Sequence, residues 1–215
     1  MKQLLERVAR KISEKNRKGK YEYFLQTMKP DPATNILDVG YTDDDAYDAI
    51  NFLEKNYPHK SKITALGIEE PVVFRKKHPE VKVVTYDGNI FPFENKSFDI
   101  AWSNAVIEHV GDYEKQKFFL SELLRTSKKI FVTTPNRFFP VEVHTRLPLL
   151  HYLPKRYFDR ILKAIGKKWA TGNYMFLLRE KDLKKMLKEL GITRYSIRYN
   201  RFLLFTMDFV LTIEE

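Results

Sequence analysis

The sequence predicts an α/β fold, an open and mostly parallel sheet with helices on both faces. Three observations predict it. Between residues 34 and 136 short apolar runs alternate with helical segments, the rhythm of strand–helix–strand units. The apolar runs are continuous rather than alternating, as strands covered on both faces should be. The last two strands follow one another with no helix between them, so they should pair as an antiparallel hairpin.

The elements follow in order. Leu4, Leu5, Val8, Ile12, Tyr21, Phe24, Leu25 and Met28 recur at loosely helical spacing, and Gly19 is expected to divide them into two helices. "MKPDPAT" is a turn, because its prolines stop a helix. "NILDVG" reads as a buried strand. Residues 43–56 read as a helix with Ala46, Ile50 and Leu53 on one face and Asp43, Asp44 and Asp45 at its positive N-terminal end. "KITALGIE" is a second strand, "PVVFRKKH" a short helix begun by proline, "VKVVTYD" a third strand and "FDIAWSN" a fourth. "DYEKQKFFLSELLRTS" is an amphipathic helix with Phe118, Phe119, Leu123 and Leu124 inward, and "KKIFVTTPN" a fifth strand. After residue 136 the rhythm fails in a stretch rich in aromatic residues, proline and basic residues. It resumes with the helix "REKDLKKMLKELG" and the strands "ITRYSIRYN" and "FLLFTMDFVLTI".

A chain of 215 residues fits one domain. The organisation expected is a single domain over 1–215, with a helical cap at 1–29 and a lid insertion at 137–176. No apolar run reaches the ~18 residues that span a bilayer. The basic N-terminus lacks the apolar stretch of a secretory signal, so a cytoplasmic location is the default expectation. The chain has no cysteine, which excludes disulfides, thiolate metal sites and a cysteine nucleophile. The net charge of +10 is uneven: residues 1–20 hold eight Lys/Arg against two acids, and residues 155–201 hold fourteen against four. Such ends attract nucleic acid, anionic lipid or an anionic substrate; the simpler reading is a solvated surface.

Ligands of open α/β sheets lie beyond the carboxyl ends of the strands. Those ends hold Asp38 to Thr42, Glu69 with Glu70, Asp87 to Asn89, and Ser103 to Ala105. Glu69 is placed to accept from a ribose diol. Asp87 and Gly88 suit an adenine amino group and a close backbone approach, and Gly40 a tight first turn. A dinucleotide loop of the G-x-G-x-x-G kind would need glycine at 42 and 45, where Thr42 and Asp45 stand, and three carboxylates there repel phosphate. The loop suits the sulfonium and ammonium of S-adenosylmethionine better. No P-loop pattern occurs.

The stretch "VVTYDGNIFPFENKSFDIAWSNAVIEHV" resembles the central segment of class I S-adenosylmethionine-dependent methyltransferases of the small-molecule type (methyltransferase type 11-like). "ILDVG" looks like their first motif and "LGIEE" like the acidic end of their second strand. The resemblance implies a Rossmann-like sheet of seven strands, the last antiparallel, and methyl transfer from S-adenosyl-L-methionine. It implies Asp38, Gly40 and Tyr41 by the methionine part, Glu69 on the ribose, and Asp87, Gly88 and Asn89 around the adenine. Ser103 and Asn104 would line the floor near the methionine amine and the methyl. Where the family has further glycines, this chain has Thr42 and Asp44.

The segment from "TTPNRFFP" to "GNYMF" resembles the insertion of a subgroup of these enzymes and is expected to hang over the pocket. Glu142, His144 and Arg146 supply its polar groups. In-line methyl transfer rests mostly on placing the nucleophile. An oxygen nucleophile often needs a base, for which His109 and His144 are the candidates; the simpler reading is that both only hold loops. His, Asp and Cys do not cluster at metal-ligand spacing, so no metal is implied. The acceptor expected is a small molecule, a glycan or a lipid-linked compound. "LPLLHYLPKRYFDRILKAIGKKW" allows peripheral membrane contact, although packing of its apolar face on the domain is the simpler reading. An RNA methyltransferase is the first alternative, weakened by the lack of an RNA-binding module. An inactive binding or scaffold protein on the same fold is the second.

Overall fold

A computed structural model describes residues 2–214, apart from the side chains of residues 2–6, 8 and 9. The expected apolar positions Leu4, Leu5 and Val8 lie outside the described side chains. Seven strands are formed: β1 Ile36–Val39, β2 Ile63–Gly67, β3 Lys82–Thr85, β4 Phe98–Asn104, β5 Ser127–Pro135, β6 Tyr195–Phe202 and β7 Phe205–Glu214. They stand in the order β3-β2-β1-β4-β5-β7-β6. β1 lies parallel to β2 and β4, and β2 to β3, while β6 and β7 form the antiparallel hairpin the sequence predicts. The helices are α1 Lys2–Met28, α2 Phe52–Asn56, α3 Val72–Lys77, α4 Tyr113–Thr126, α5 Lys155–Ala164 and α6 Glu180–Glu189. No described helix is long and apolar enough to cross a membrane.

Contacts divide the chain into two compact units. One runs to Trp102 and includes Thr126–Phe131; the other comprises Ser103–Arg125 and the chain from Val132 onward. In the first, β1 and β2 are buried at every position. The core continues into α1 through Phe24, which is fully buried against Trp102 and Phe131. Two helices were expected here, and one continuous helix is found. A mid-helix glycine costs only about 1 kcal/mol relative to alanine. The burial of Lys20, Tyr21, Phe24 and Met28 just beyond Gly19 outweighs that cost.

The helix expected over 43–56 is also corrected. Only Phe52–Asn56 is helical, and Asn51 before it has φ 48°, a left-handed conformation that breaks the run. Ala46 is exposed rather than inward, while Leu53 is fully buried. Side chains of the aspartate loop compete with the helical hydrogen bonds here, as Asp and Asn do near helix starts.

In the second unit α4 buries Gln116, Phe119, Leu120 and Leu123, spaced for one face. Phe118 was expected inward and is 44% exposed, because Leu120 takes the core position. Helix α6 buries Leu183, Met186 and Leu187 and ends at Gly191, whose φ of +73° admits the reversed turn that Ile192 N–H closes onto the Leu187 carbonyl. β7 buries Met207 to Ile213, whereas the edge strand β6 is mostly exposed and carries Arg198 and Arg201. The stretch 137–176 has its own small core, in which Phe158, Leu162, Ala170 and Met175 pack with Leu147, Leu150 and Leu177. The apolar face of α5 is thereby partly satisfied within the unit.

Candidate active site

In the first unit β1 ends at Val39, and Gly40 turns the chain with φ 104° while its N–H donates to Leu66 O at 2.8 Å. The loop that follows is knit by side chains. Tyr41 is buried, with its ring against Phe74 (4.7 Å) and its hydroxyl donating to the Glu69 carbonyl. Gly67 makes room for that ring: a Cβ there would lie 2.6 Å from Tyr41 Cε1. Glu69 Oε2 accepts from Thr42 Oγ1 (3.0 Å) and Asp43 N (2.7 Å). Asn51 clasps Thr42 by accepting from its N–H and donating to its carbonyl.

The three aspartates separate in role. None of them sits at the start of α2. Asp43 Oδ1 accepts from Val73 N (2.7 Å) and Phe74 N (2.8 Å), capping α3. Asp44 closes a local turn onto Ala46 N, and Asp45 pairs with Lys55 at 2.7 Å. The loop therefore obtains from Thr42, Asp43, Asn51 and Glu69 a rigidity that a glycine-rich turn would take from backbone alone.

Asp38 lies beneath this loop, buried beside Glu54. Burial and the neighbouring Glu54 carboxyl hold its pKa well above the usual carboxylate range, with Arg17 opposing them. At the end of β3 the Asp87 carboxylate accepts from Asn89 N (3.0 Å) and Asn89 Nδ2 (2.9 Å), and these bonds lower its pKa. Gly88 has φ +83°. Asp87, Gly88 and Asn89 are exposed, and Ile68 and Ile90 beside them are 68% and 66% exposed. An exposed isoleucine near an acidic strand end is the one signal that would have added Ile68 and Ile90 to the sequence candidates.

The second unit gathers Ser103, Asn104, His109 and His144. Ser103 is fully buried, and Asn104 Oδ1 accepts from Thr133 Oγ1 at 2.6 Å. The two histidines meet, with Nε2 atoms 3.1 Å apart. His109 Nδ1 faces the Tyr174 carbonyl at 2.8 Å, and His144 Nδ1 faces Glu142 Oε1 at 2.7 Å. Burial would raise the pKa of Glu142, but the bonds and charge of His144 and the N–H of Thr145 outweigh it and hold it at about 2. Glu142 is therefore an anionic acceptor, and both Nδ1 atoms must be N–H donors. Glu108, absent from the sequence candidates, is fully buried beside them, with Oε2 accepting from Thr134 Oγ1 at 3.0 Å. His151, within the stretch 137–176, is buried and bonded to the Phe139 carbonyl, and burial lowers its pKa.

The seven-stranded sheet, with its antiparallel last hairpin, matches a Rossmann-like methyltransferase fold. Residues 37–130 match the sequence model of a family described as "Methyltransferase domain". Similar solved structures include a SAM dependent methyltransferase from Aquifex aeolicus (15% identity over 89% of this chain and 87% of that chain, TM-score 0.55). Another is an S-adenosylmethionine dependent methyltransferase from Mesorhizobium loti (14% identity, 87% of this chain and 94% of that chain, TM-score 0.55). A third is magnesium protoporphyrin IX methyltransferase from Synechocystis PCC 6803 with bound SAH (14% identity, 94% of this chain and 83% of that chain, TM-score 0.56). No curated protein matches the chain. Residues 37–130 thus match a methyltransferase domain, and the chain as a whole has the fold of S-adenosylmethionine-dependent methyltransferases.

Proposed function

We propose that the protein transfers a methyl group from S-adenosylmethionine to an oxygen of a small-molecule, glycan or lipid-linked acceptor in the cytoplasm. The observation that carries the cofactor assignment is Glu69. One carboxylate oxygen ties down the loop, and the other, Oε1, makes no hydrogen bond among the described residues and is available to a ribose diol. Gly40, Asp38 and Tyr41 shape the turn, while Asp87, Gly88 and Asn89 with Ile68 and Ile90 offer an acceptor group between apolar side chains, which fits a purine. Bound S-adenosylmethionine supplies an electrophilic methyl group. Ser103 and Asn104 are assigned to its methionine end. His109 and His144 are assigned to the acceptor: with Nδ1 of each ring held by an oxygen acceptor, Nε2 is the ring atom that would take a proton from a hydroxyl.

Calorimetric titration with S-adenosylmethionine and S-adenosylhomocysteine, with NAD as control, tests this. Binding of the adenosyl ligands is expected, weakened at least about tenfold in Glu69→Ala, since bonds to a charged acceptor contribute about 1.5–3 kcal/mol. Thr42→Val, which removes a loop bond and leaves Oε1, should weaken it less. No heat with either ligand in a folded sample would end the cofactor assignment.

Within the acceptor class the surface favours a lipid-linked compound. Tyr152, Leu153, Tyr157, Ile165 and Trp169 are exposed around α5, interspersed with Arg156, Arg160, Lys163 and Lys168. Aromatic and apolar side chains mixed with cations suit an anionic bilayer surface. Co-sedimentation with phosphatidylglycerol vesicles is expected, reduced by Trp169→Ala and by salt. Equal recovery with neutral and anionic vesicles, or none with either, would return the acceptor to the soluble classes.

A further inference from the structure

We infer that Glu108, His109 and His144 form a binding site for a divalent transition-metal ion, zinc in the first instance. The inference stands on the second unit alone and is independent of cofactor binding. Glu108 and His109 come from the turn after β4, and His144 from the stretch after β5. One ligand atom from each of the three residues lies within 4.8 Å of the others. The two Nε2 atoms are 3.1 Å apart, and Glu108 Oε1 is 4.0 Å from each. Tetrahedral coordination at about 2.0–2.1 Å requires ligand–ligand edges of about 3.3 Å, so small side-chain movements close the site.

The hydrogen bonds around the cluster point to a cation. His109 Nδ1 lies 2.8 Å from a backbone carbonyl and His144 Nδ1 2.7 Å from a Glu142 carboxylate oxygen, so each ring is held through Nδ1 and turns Nε2 toward the cluster. The two Nε2 atoms approach one another, and Glu108 Oε1 is buried with no hydrogen-bond donor among the described residues. Such an arrangement leaves a buried carboxylate oxygen unsatisfied. One proton can join the two histidines and leaves Glu108 Oε1 still unserved; a metal ion serves all three. The surroundings are those of a metal centre: Glu142 orients His144, a backbone carbonyl orients His109, and Thr134 holds the other Glu108 oxygen. Two imidazoles and one carboxylate suit zinc or ferrous iron rather than magnesium, and leave a position open to an oxygen ligand. With the ion bound, its acidifying effect on a coordinated hydroxyl takes the place of a free imidazole base.

The test is metal binding to the chelator-stripped full chain, with no methyl acceptor required. Zinc titration is expected to show one equivalent bound, unaffected by excess magnesium, and cobalt(II) should give the visible absorption of a site with nitrogen ligands. Glu142→Gln should weaken zinc binding about 10–100-fold. His144→Ala and the isosteric Glu108→Gln should weaken it more, and His59→Ala, outside the cluster, should leave it unchanged. Circular dichroism identifies any variant that fails to fold. A folded wild-type chain that binds no zinc, or zinc bound equally well by wild type, Glu108→Gln and His144→Ala, would overturn the site. Imidazole nitrogen resonances showing one proton shared by the pair and no response to zinc would do the same.

Discussion

Replacing Phe24 by alanine is expected to lower stability by about 3–5 kcal/mol, the range for deleting a fully buried aromatic ring. The ring of Phe24 has no exposed surface. It meets Trp102 edge-on at 4.9 Å and Phe131 edge-on at 5.3 Å, and those two rings stack at 5.0 Å within 2° of parallel. Each such pair contributes about 0.5–1.5 kcal/mol beyond area burial. Trp102 and Phe131 sit on strands β4 and β5, so neither can swing far into the space a deletion leaves. Phe24→Leu keeps most of the volume and should cost about 1–2 kcal/mol. Urea unfolding of the three chains reads the difference. An unchanged midpoint in Phe24→Ala would mean that α1 is no part of this core.

The same aromatic cluster shows what the sequence could reveal. Strand β4 occupies the predicted residues, because the buried apolar run Ile100–Trp102 sits between a polar turn before it and a second turn after it. Asp38, Glu69 and Asp87 were legible as acids at or beside strand ends, which is where open sheets of this kind hold ligands. The aspartate loop was misread for a physical reason. Ala46, Ile50 and Leu53 do have helical spacing, but periodicity does not register that Asn51 and Asp44 bind the backbone locally. The histidine–glutamate cluster was legible only as separate residues. Helix α4 and strand β5 stand between His109 and His144 in the chain, and their meeting is a property of the fold. Glu54 is the clearest case of an illegible residue. In sequence it is an ordinary acid of a surface helix, yet it is fully buried.

Glu54→Gln is expected to stabilise the chain increasingly as pH rises above the ordinary carboxylate range. Neither oxygen of Glu54 meets a donor among the described residues, and its neighbour is the buried carboxyl of Asp38. Burial and the adjacent carboxyl both disfavour the charged form of Asp38, so the folded chain holds on Asp38 a proton that an unfolded chain releases at about pH 4. The sign follows from proton linkage. The folded-state pKa of Asp38 is raised, first by burial and then by Glu54, so the folded state holds more protons than the unfolded state. Stability is therefore full below the unfolded pKa and is lost as pH rises toward the folded one. His151 acts oppositely: burial depresses its pKa, so its contribution is gained as pH rises through the histidine range. Only the difference between wild type and Glu54→Gln isolates the carboxyl pair. The amide removes one ionisable member and offers Asp38 an N–H donor. Urea unfolding between about pH 4 and about pH 8 should show the two chains converging at the acid end and separating toward the alkaline end. Arg17, whose charge draws the Asp38 pKa down, provides the internal check. Arg17→Gln should widen the separation by removing the one cation that opposes proton retention. Parallel pH profiles for wild type and Glu54→Gln would mean that the pair holds no proton.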